Sequence, residues 1–365
     1  MRLENFRPQS KLVTKTTLVE RPRFPVVDAH NHLSMFGDRQ PRRSLTELLD
    51  LLDQAEAGVF VDLDGGWGEA LLQEHLDWLQ PAAERFLLFG GVEWEQWKEK
   101  EERFPEWAAA RLKVQQSWGA AGLKIWKVLG LHVRDAQDVL VPVDDPRLDP
   151  IWQAAGELDL PVLIHVADPV AFFDPLDETN ERWEELQEHP DWYFPSPPFP
   201  AFLTIVEGLA NLVARHPGTT FIGAHVGCYA ENLAWVGSLL ERCPNFYVDI
   251  GARLGELGRQ PYTARRFFLQ YADRILFGTD TGPDLISYRK AYRFLETDDE
   301  YFNYSPGDLP GQGRWHVHGL YLPEDVLEKI YYQNAQRILL KGADFPGTRF
   351  QGRRSPAGDA PREEK

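Results

Sequence analysis

Two imidazoles set two residues apart at a strand end can grip one divalent cation, and Asp28-Ala29-His30-Asn31-His32 offers such a pair. It closes the run Phe24-Pro25-Val26-Val27, which reads as a short strand. Alternate side chains of an extended strand share a face, so the spacing puts Asp28, His30 and His32 together. A His-x-His pair alone is common on protein surfaces. Three further candidate donors give it weight: His165, His225 and Asp280 each follow an apolar run later in the chain. Singly, each has a plain structural explanation, as a hydrogen-bonded core histidine or an aspartate capping a turn. Jointly, the groups at the ends of strands one, five, six and eight would meet at one point of a barrel mouth.

The elements that must carry these residues alternate along the chain. Strand-like runs at 24–30, 58–63, 85–92, 122–128, 161–166, 219–225, 245–250 and 274–278 are separated by helical patterns at 45–54, 69–80, 105–118, 150–158, 202–216, 230–242 and 262–271. A last helix over 323–340 opens on Pro323, a residue suited to a first helical turn. Alternating β and α segments predict an α/β fold, a (β/α)₈ TIM barrel. Two connections exceed ordinary loops, 167–200 after strand five and 281–322 after strand eight, and both are rich in aromatic residues. On this architecture such insertions sit at the C-terminal face, where chemistry is done, so a covering role is expected. The domain reading is an N-terminal arm (1–23), the barrel (24–346) and a disordered tail (347–365) too polar to fold.

Composition narrows the partners. With 365 residues, 43% hydrophobic and 26% charged, the chain can bury a sizeable core. A net charge of −17 argues against nucleic acid and against an anionic membrane surface. No run approaches the ~18 apolar residues of a membrane span. The two cysteines, Cys228 and Cys243, suggest neither a disulfide framework nor a thiolate zinc site, so a cytoplasmic protein acting on a small molecule is expected, with homo-oligomerisation possible.

The combination of Asp-x-His-x-His on strand one, His165, His225 and Asp280 resembles the amidohydrolase superfamily, in particular the branch that includes aminocarboxymuconate-semialdehyde decarboxylase. Gly122-Leu-Lys-Ile-Trp-Lys127, Phe277-Gly-Thr-Asp280 and the stretch 322–335 add to the resemblance, which spans 26–340. It implies one divalent ion held by His30, His32, His165 and Asp280, zinc foremost, with manganese, iron or cobalt served by the same donors. It further implies a metal-activated water whose proton Asp280 accepts, His225 as general acid/base, and Asp28 as an acceptor orienting a strand-one imidazole.

On strand four, Lys124 and Lys127 would face opposite sides, with Lys124 the better placed for the interior. One of them would bind a substrate anion and the other would be solvated. Arg253, after strand seven, could clamp a substrate carboxylate or form a surface ion pair. His316-Val317-His318 reads as a lid or packing element of the second insertion rather than a second metal site, and Cys228 as a small buried residue rather than a nucleophile. His75, His132, His189 and His216 read as surface or helix-end residues. The leading functional expectation is a metal-dependent hydrolase acting on an ester, lactone or amide. The alternative is a non-oxidative decarboxylase of an unsaturated or aromatic acid, and a catalytically inactive binding scaffold comes third.

Overall fold

The computed structural model describes residues 10–34, 43–305, 307 and 311–343. Eight parallel strands run in sequence order: β1 (Val26–Asn31), β2 (Ala57–Asp62), β3 (Phe86–Gly90), β4 (Gly122–Ile125), β5 (Val162–Ile164), β6 (Phe221–Gly223), β7 (Phe246–Asp249) and β8 (Ile275–Leu276). The seam between first and last strands is bridged by backbone bonds: Ala29 N–H donates to the Phe277 carbonyl at 2.9 Å and Asp280 N–H to that of His30 at 2.8 Å. Eight principal helices follow the strands: α1 (Leu45–Gln54), α2 (Glu69–Leu79), α3 (Phe104–Trp118), α4 (Asp149–Glu157), α5 (Phe202–Arg215), α6 (Leu233–Arg242), α7 (Pro261–Gln270) and α8 (Leu285–Glu296). This is the expected (β/α)₈ barrel.

Alternation along the strands divides the core into two layers. Val27, Val59, Val61, Phe89, Leu163, Ile222 and Leu276 pack together inside the barrel. Val26, Phe60, Leu123, Ile125, Val162, Ile164, Phe221 and Val248 belong to the outer layer, against the helices. Strands buried on both faces need apolar residues at every position, which is why they read as unbroken hydrophobic runs.

Two features depart from the sequence reading. The segment 281–322 is not wholly a connection, because it contains α8, whose Tyr288 and Tyr292 are fully buried. A third long connection, 126–148, joins β4 to α4 and carries a small antiparallel bridge between Arg134 and Leu140. The described part of the N-terminal arm lies against the end of α8: Thr17 donates from N–H and Oγ1 to Asp299 at 2.6 and 2.7 Å, and Arg23 N–H donates to Glu296. The expected tail, 347–365, lies outside the described residues.

Candidate metal centre

The strand-one motif is built on a broken alternation. The β1–β2 register shifts between Asp28 and Asn31. Asp28 therefore turns outward and accepts from Tyr288 Oη at 2.7 Å, Thr279 Oγ1 at 2.9 Å and Asn31 Nδ2 at 2.8 Å. The expectation that Asp28 shares a face with the histidines and takes an imidazole N–H is corrected by this shift. It ties β1 to β8 and α8 instead, and burial raises its pKa to about 6.

The imidazole acceptors are two aspartates that sequence reasoning missed. His30 Nδ1 pairs with Asp249 Oδ2 at 2.9 Å, and His32 Nδ1 with Asp64 Oδ1 at 2.8 Å. Asp249 ends β7 and Asp64 lies two residues beyond the end of β2, which is the signal that could have found them. Asp249 also accepts from the Gly251 and His225 N–H groups through Oδ1. Glycine keeps this corner open: a Cβ at Gly251 would crowd Asp249 Oδ1 and Asp280 Cβ, both at 3.1 Å, and His30 Nδ1 at 3.3 Å. His225 Nδ1 lies 2.8 Å from the Gly251 carbonyl, which can only accept, so Nδ1 carries the proton and Nε2 a lone pair.

Three Nε2 atoms thus surround Asp280. His30 and His32 lie 3.6 and 3.5 Å from Oδ1, and His225 lies 3.6 Å from Oδ2. Two donors each about 2.0–2.2 Å from one ion, at a tetrahedral angle, stand roughly 3.3–3.5 Å apart. The donor atoms of His30, His225 and Asp280 lie within 4.8 Å of one another. Neither His32 Nε2 nor Asp280 Oδ1 makes a hydrogen bond, though both are buried. Orphaned donors of this kind, imidazole nitrogen and carboxylate oxygen, fit a divalent transition-metal ion such as zinc or manganese. His165 lies outside the trio of His30, His225 and Asp280 but carries a third orphaned donor, Nε2, beside it. Its ring stands 4.4 Å from that of His225, but its Nε2 lies 3.3 Å from Asp168 without hydrogen-bonding alignment.

Burial dominates the electrostatics. It drives His30 and His225 well below the ordinary histidine pKa and His165 to about 4, so all three are neutral ligands or bases at neutral pH. Lys124 does face the interior, with Nζ 3.4 Å from His30 Nε2, and burial lowers it to about 8. Lys127 is not solvated as expected but pairs with Asp168. Burial alone would raise the Asp168 carboxyl, yet Lys127 and His165 hold it well below the usual carboxylate range. Arg253 is buried rather than engaged in a surface ion pair. Its Nη1 donates to the Ala252 carbonyl, and no carboxylate among the described residues lies within 4 Å of it.

Aromatic groups wall the mouth. Trp126 stacks on His32 at 4.9 Å and on Trp67 at 4.1 Å, and Trp67 remains half exposed. The two insertions meet over the end of β7, where Arg314 pairs with Glu184 and Arg182 lies 5.2 Å over Trp315. Tyr304 and Trp315 there approach Gly255, two residues beyond Arg253. His316 stacks on Tyr301, a packing role as expected. Cys228 is buried and its thiol is pushed up to about 11, so it is no nucleophile.

A sequence model of the family described as Amidohydrolase matches residues 27–340. The chain belongs to the amidohydrolase family. No curated protein sequence matches it. Among solved structures, this family member is similar to 2,6-dihydroxybenzoate decarboxylase from Rhizobium (17% identity, 88% of this chain and 100% of that chain, TM-score 0.54). It is similar also to a dihydroxybenzoic acid decarboxylase from Polaromonas sp. JS666 with bound manganese and 2-nitroresorcinol (16%, 88% and 99%, 0.54). A third is 5-carboxyvanillate decarboxylase from Sphingomonas paucimobilis (14%, 84% and 85%, 0.51). At these identities the likeness is one of fold.

Proposed function

We propose that the chain is a metal-dependent, non-oxidative decarboxylase of an aromatic or unsaturated carboxylic acid. The observation that carries this reading is the buried Arg253 guanidinium, without a carboxylate partner among the described residues, beside the histidine–aspartate centre. Arg253 lies in the field of Glu256, Glu185, Glu231 and Asp249 yet forms a direct ion pair with none of them, which leaves guanidinium donors for a substrate carboxylate. The solved structures similar to this family member include three decarboxylases of hydroxylated or methoxylated aromatic acids, which supports the same chemistry.

His30, His32, His165 and Asp280 would hold the ion, which when bound would polarise an oxygen of the substrate and stabilise charge developing on it. The half-exposed Trp67 offers a flat surface to a planar ring, and Lys124 a cation to a phenolate or carboxylate oxygen. As the carbon–carbon bond to the carboxylate breaks, its electron pair stays on the ring carbon and carbon dioxide leaves. The proton that replaces it is first taken up from water by His225 Nε2 or Asp280 Oδ2, two acceptors that face each other at 3.6 Å and can hold one proton between them until the ring carbon takes it.

Hydrolysis is the second reading, favoured by Asp280 Oδ1, an orphaned oxygen placed to accept a proton from an attacking water. Incubating the metal-loaded protein with a panel of hydroxybenzoates, enoic acids, lactones and anilides separates the two. Carbon dioxide release from an acid supports the proposal. Acid release from lactones or anilides, with no carbon dioxide from any acid, would overturn it in favour of the hydrolase.

A further inference from the structure

His75 sits on α2 with no exposure at all, where its neighbours on the same helix face, Leu72 and Leu79, are core residues. Leucine would satisfy the packing there. The imidazole instead completes a chain of hydrogen bonds. Its Nδ1 lies 2.6 Å from Asp62 Oδ2 and its Nε2 lies 2.9 Å from Ser34 Oγ. Asp62 Oδ1 also faces the Leu33 and Asp64 N–H groups, at 3.3 and 3.4 Å, so the carboxylate acts as an acceptor at both oxygens. That assigns the proton of His75 to Nδ1 and leaves Nε2 to accept from the Ser34 hydroxyl.

The far end of this chain is the candidate metal centre. Ser34 and Leu33 donate their backbone N–H groups to Asp64 Oδ2 at 2.6 and 2.9 Å. The other oxygen of Asp64 takes His32 Nδ1, fixing that ring's tautomer and direction. Asp62, Asp64 and His75 are close enough to hold a cation themselves. Their facing atoms are already spent on one another, on Ser34 and on His32, so they form a support and not a second ion site.

We propose that His75 is a positioning residue for the metal centre, acting through Ser34 and Asp64 on His32. The inference rests on the reading that this centre binds a metal. Holding the side chain of Ser34 fixes the two N–H groups that aim Asp64. Asp64 in turn presents the lone pair of His32 Nε2 beside Asp280, 3.5 Å away. Partners behind a metal ligand of this type are worth about 10–100-fold in affinity.

The test uses the full chain, stripped with dipicolinate and titrated with zinc or manganese against a fluorescent chelator. Ser34→Ala removes the hydroxyl, Ser34→Thr returns one, and His75→Asn keeps a donor for Asp62 but loses the acceptor for Ser34. S34A and H75N are each expected to weaken metal binding roughly 10–100-fold. The double variant should be no worse than the weaker single, because both cut one chain. S34T should restore binding, and the loss of affinity in S34A and H75N should exceed what any fall in their metal-free melting temperature accounts for. Unchanged affinity in folded S34A or H75N would overturn the proposal. So would a loss that follows metal-free stability and is not recovered in S34T. If H75N fails to fold, the S34A and S34T pair decides alone. A wild-type protein that takes up neither metal sinks the metal reading as well, a failure visible before any variant is made.

Discussion

At the scale of single residues, the centre is organised by which nitrogen of each histidine is already spoken for. Asp249, Asp64 and the Gly251 carbonyl take the Nδ1 protons of His30, His32 and His225, and all three Nε2 lone pairs are left facing Asp280. For His225 this leads to a sharp expectation. His225→Asn can keep the hydrogen bond to Gly251 through its amide but has nothing at the Nε2 position. Turnover should fall about 10²–10⁴-fold, the usual worth of a positioned acid/base, with metal content by elemental analysis unchanged. Loss of the ion in this variant together with its retention in His165→Ala would exchange the roles proposed for the two residues. The histidines and Asp280 were legible because they end apolar runs. Asp249 and Asp64 were not, since a lone aspartate after a strand looks the same whether it caps a turn or orients an imidazole. His75 was misread as a surface residue because its helix has charged neighbours, and only packing reveals which side it faces.

Among the elements, strand ends hold the site and bear the strain. His225, Val226, Cys228, Ala252 and Asp280 all adopt left-handed φ, between 51° and 61°, a conformation costing such residues of order 1–3 kcal/mol each. For β-branched Val226 it is a genuine outlier. No periodicity predicts such turns, nor the β1 register shift that separates Asp28 from His30, so the barrel was readable in the sequence while the aim of its side chains was not. The arm packed on α8 gives the element-scale prediction. Burial raises the Asp299 carboxyl, but Thr17 and Arg293 outweigh it and the pKa is lowered. A lowered carboxylate stabilises above its unfolded pKa of about 3.9, and that contribution is lost as pH falls through the lower folded value. Asp299→Asn should therefore loosen the arm at neutral pH, costing about 1–3 kcal/mol. Limited proteolysis should cut near Lys15 in the variant at pH 7 and in the wild type only in strong acid; equal resistance of both at pH 7 would contradict the anchoring role.

Over the whole molecule, the centre sets a bound on stability that the rest of the barrel does not remove. Without a cation, His32 Nε2, His165 Nε2 and Asp280 Oδ1 are buried with no hydrogen bond, and groups of this kind cost about 1–3 kcal/mol each. An ion that binds only the folded chain adds about 2.7 kcal/mol at a hundred times its Kd. In a protein of this size 1 kcal/mol moves the melting temperature by roughly 1–3 °C. Stripping the metal should thus lower the melting temperature by about 3–8 °C, and zinc or manganese should restore it. A net charge of −17 offers a rival cause, because any divalent cation screens an acidic surface. Magnesium discriminates between the two: it screens equally well but prefers oxygen donors over imidazole. Scanning calorimetry of wild type and His30→Ala with zinc, manganese and magnesium at equal ionic strength checks the point. Stabilisation by zinc or manganese that magnesium fails to match, and that His30→Ala abolishes, is the result expected. An equal rise with all three ions, persisting in the variant, would assign the effect to surface screening and leave the buried donors without an ion to hold.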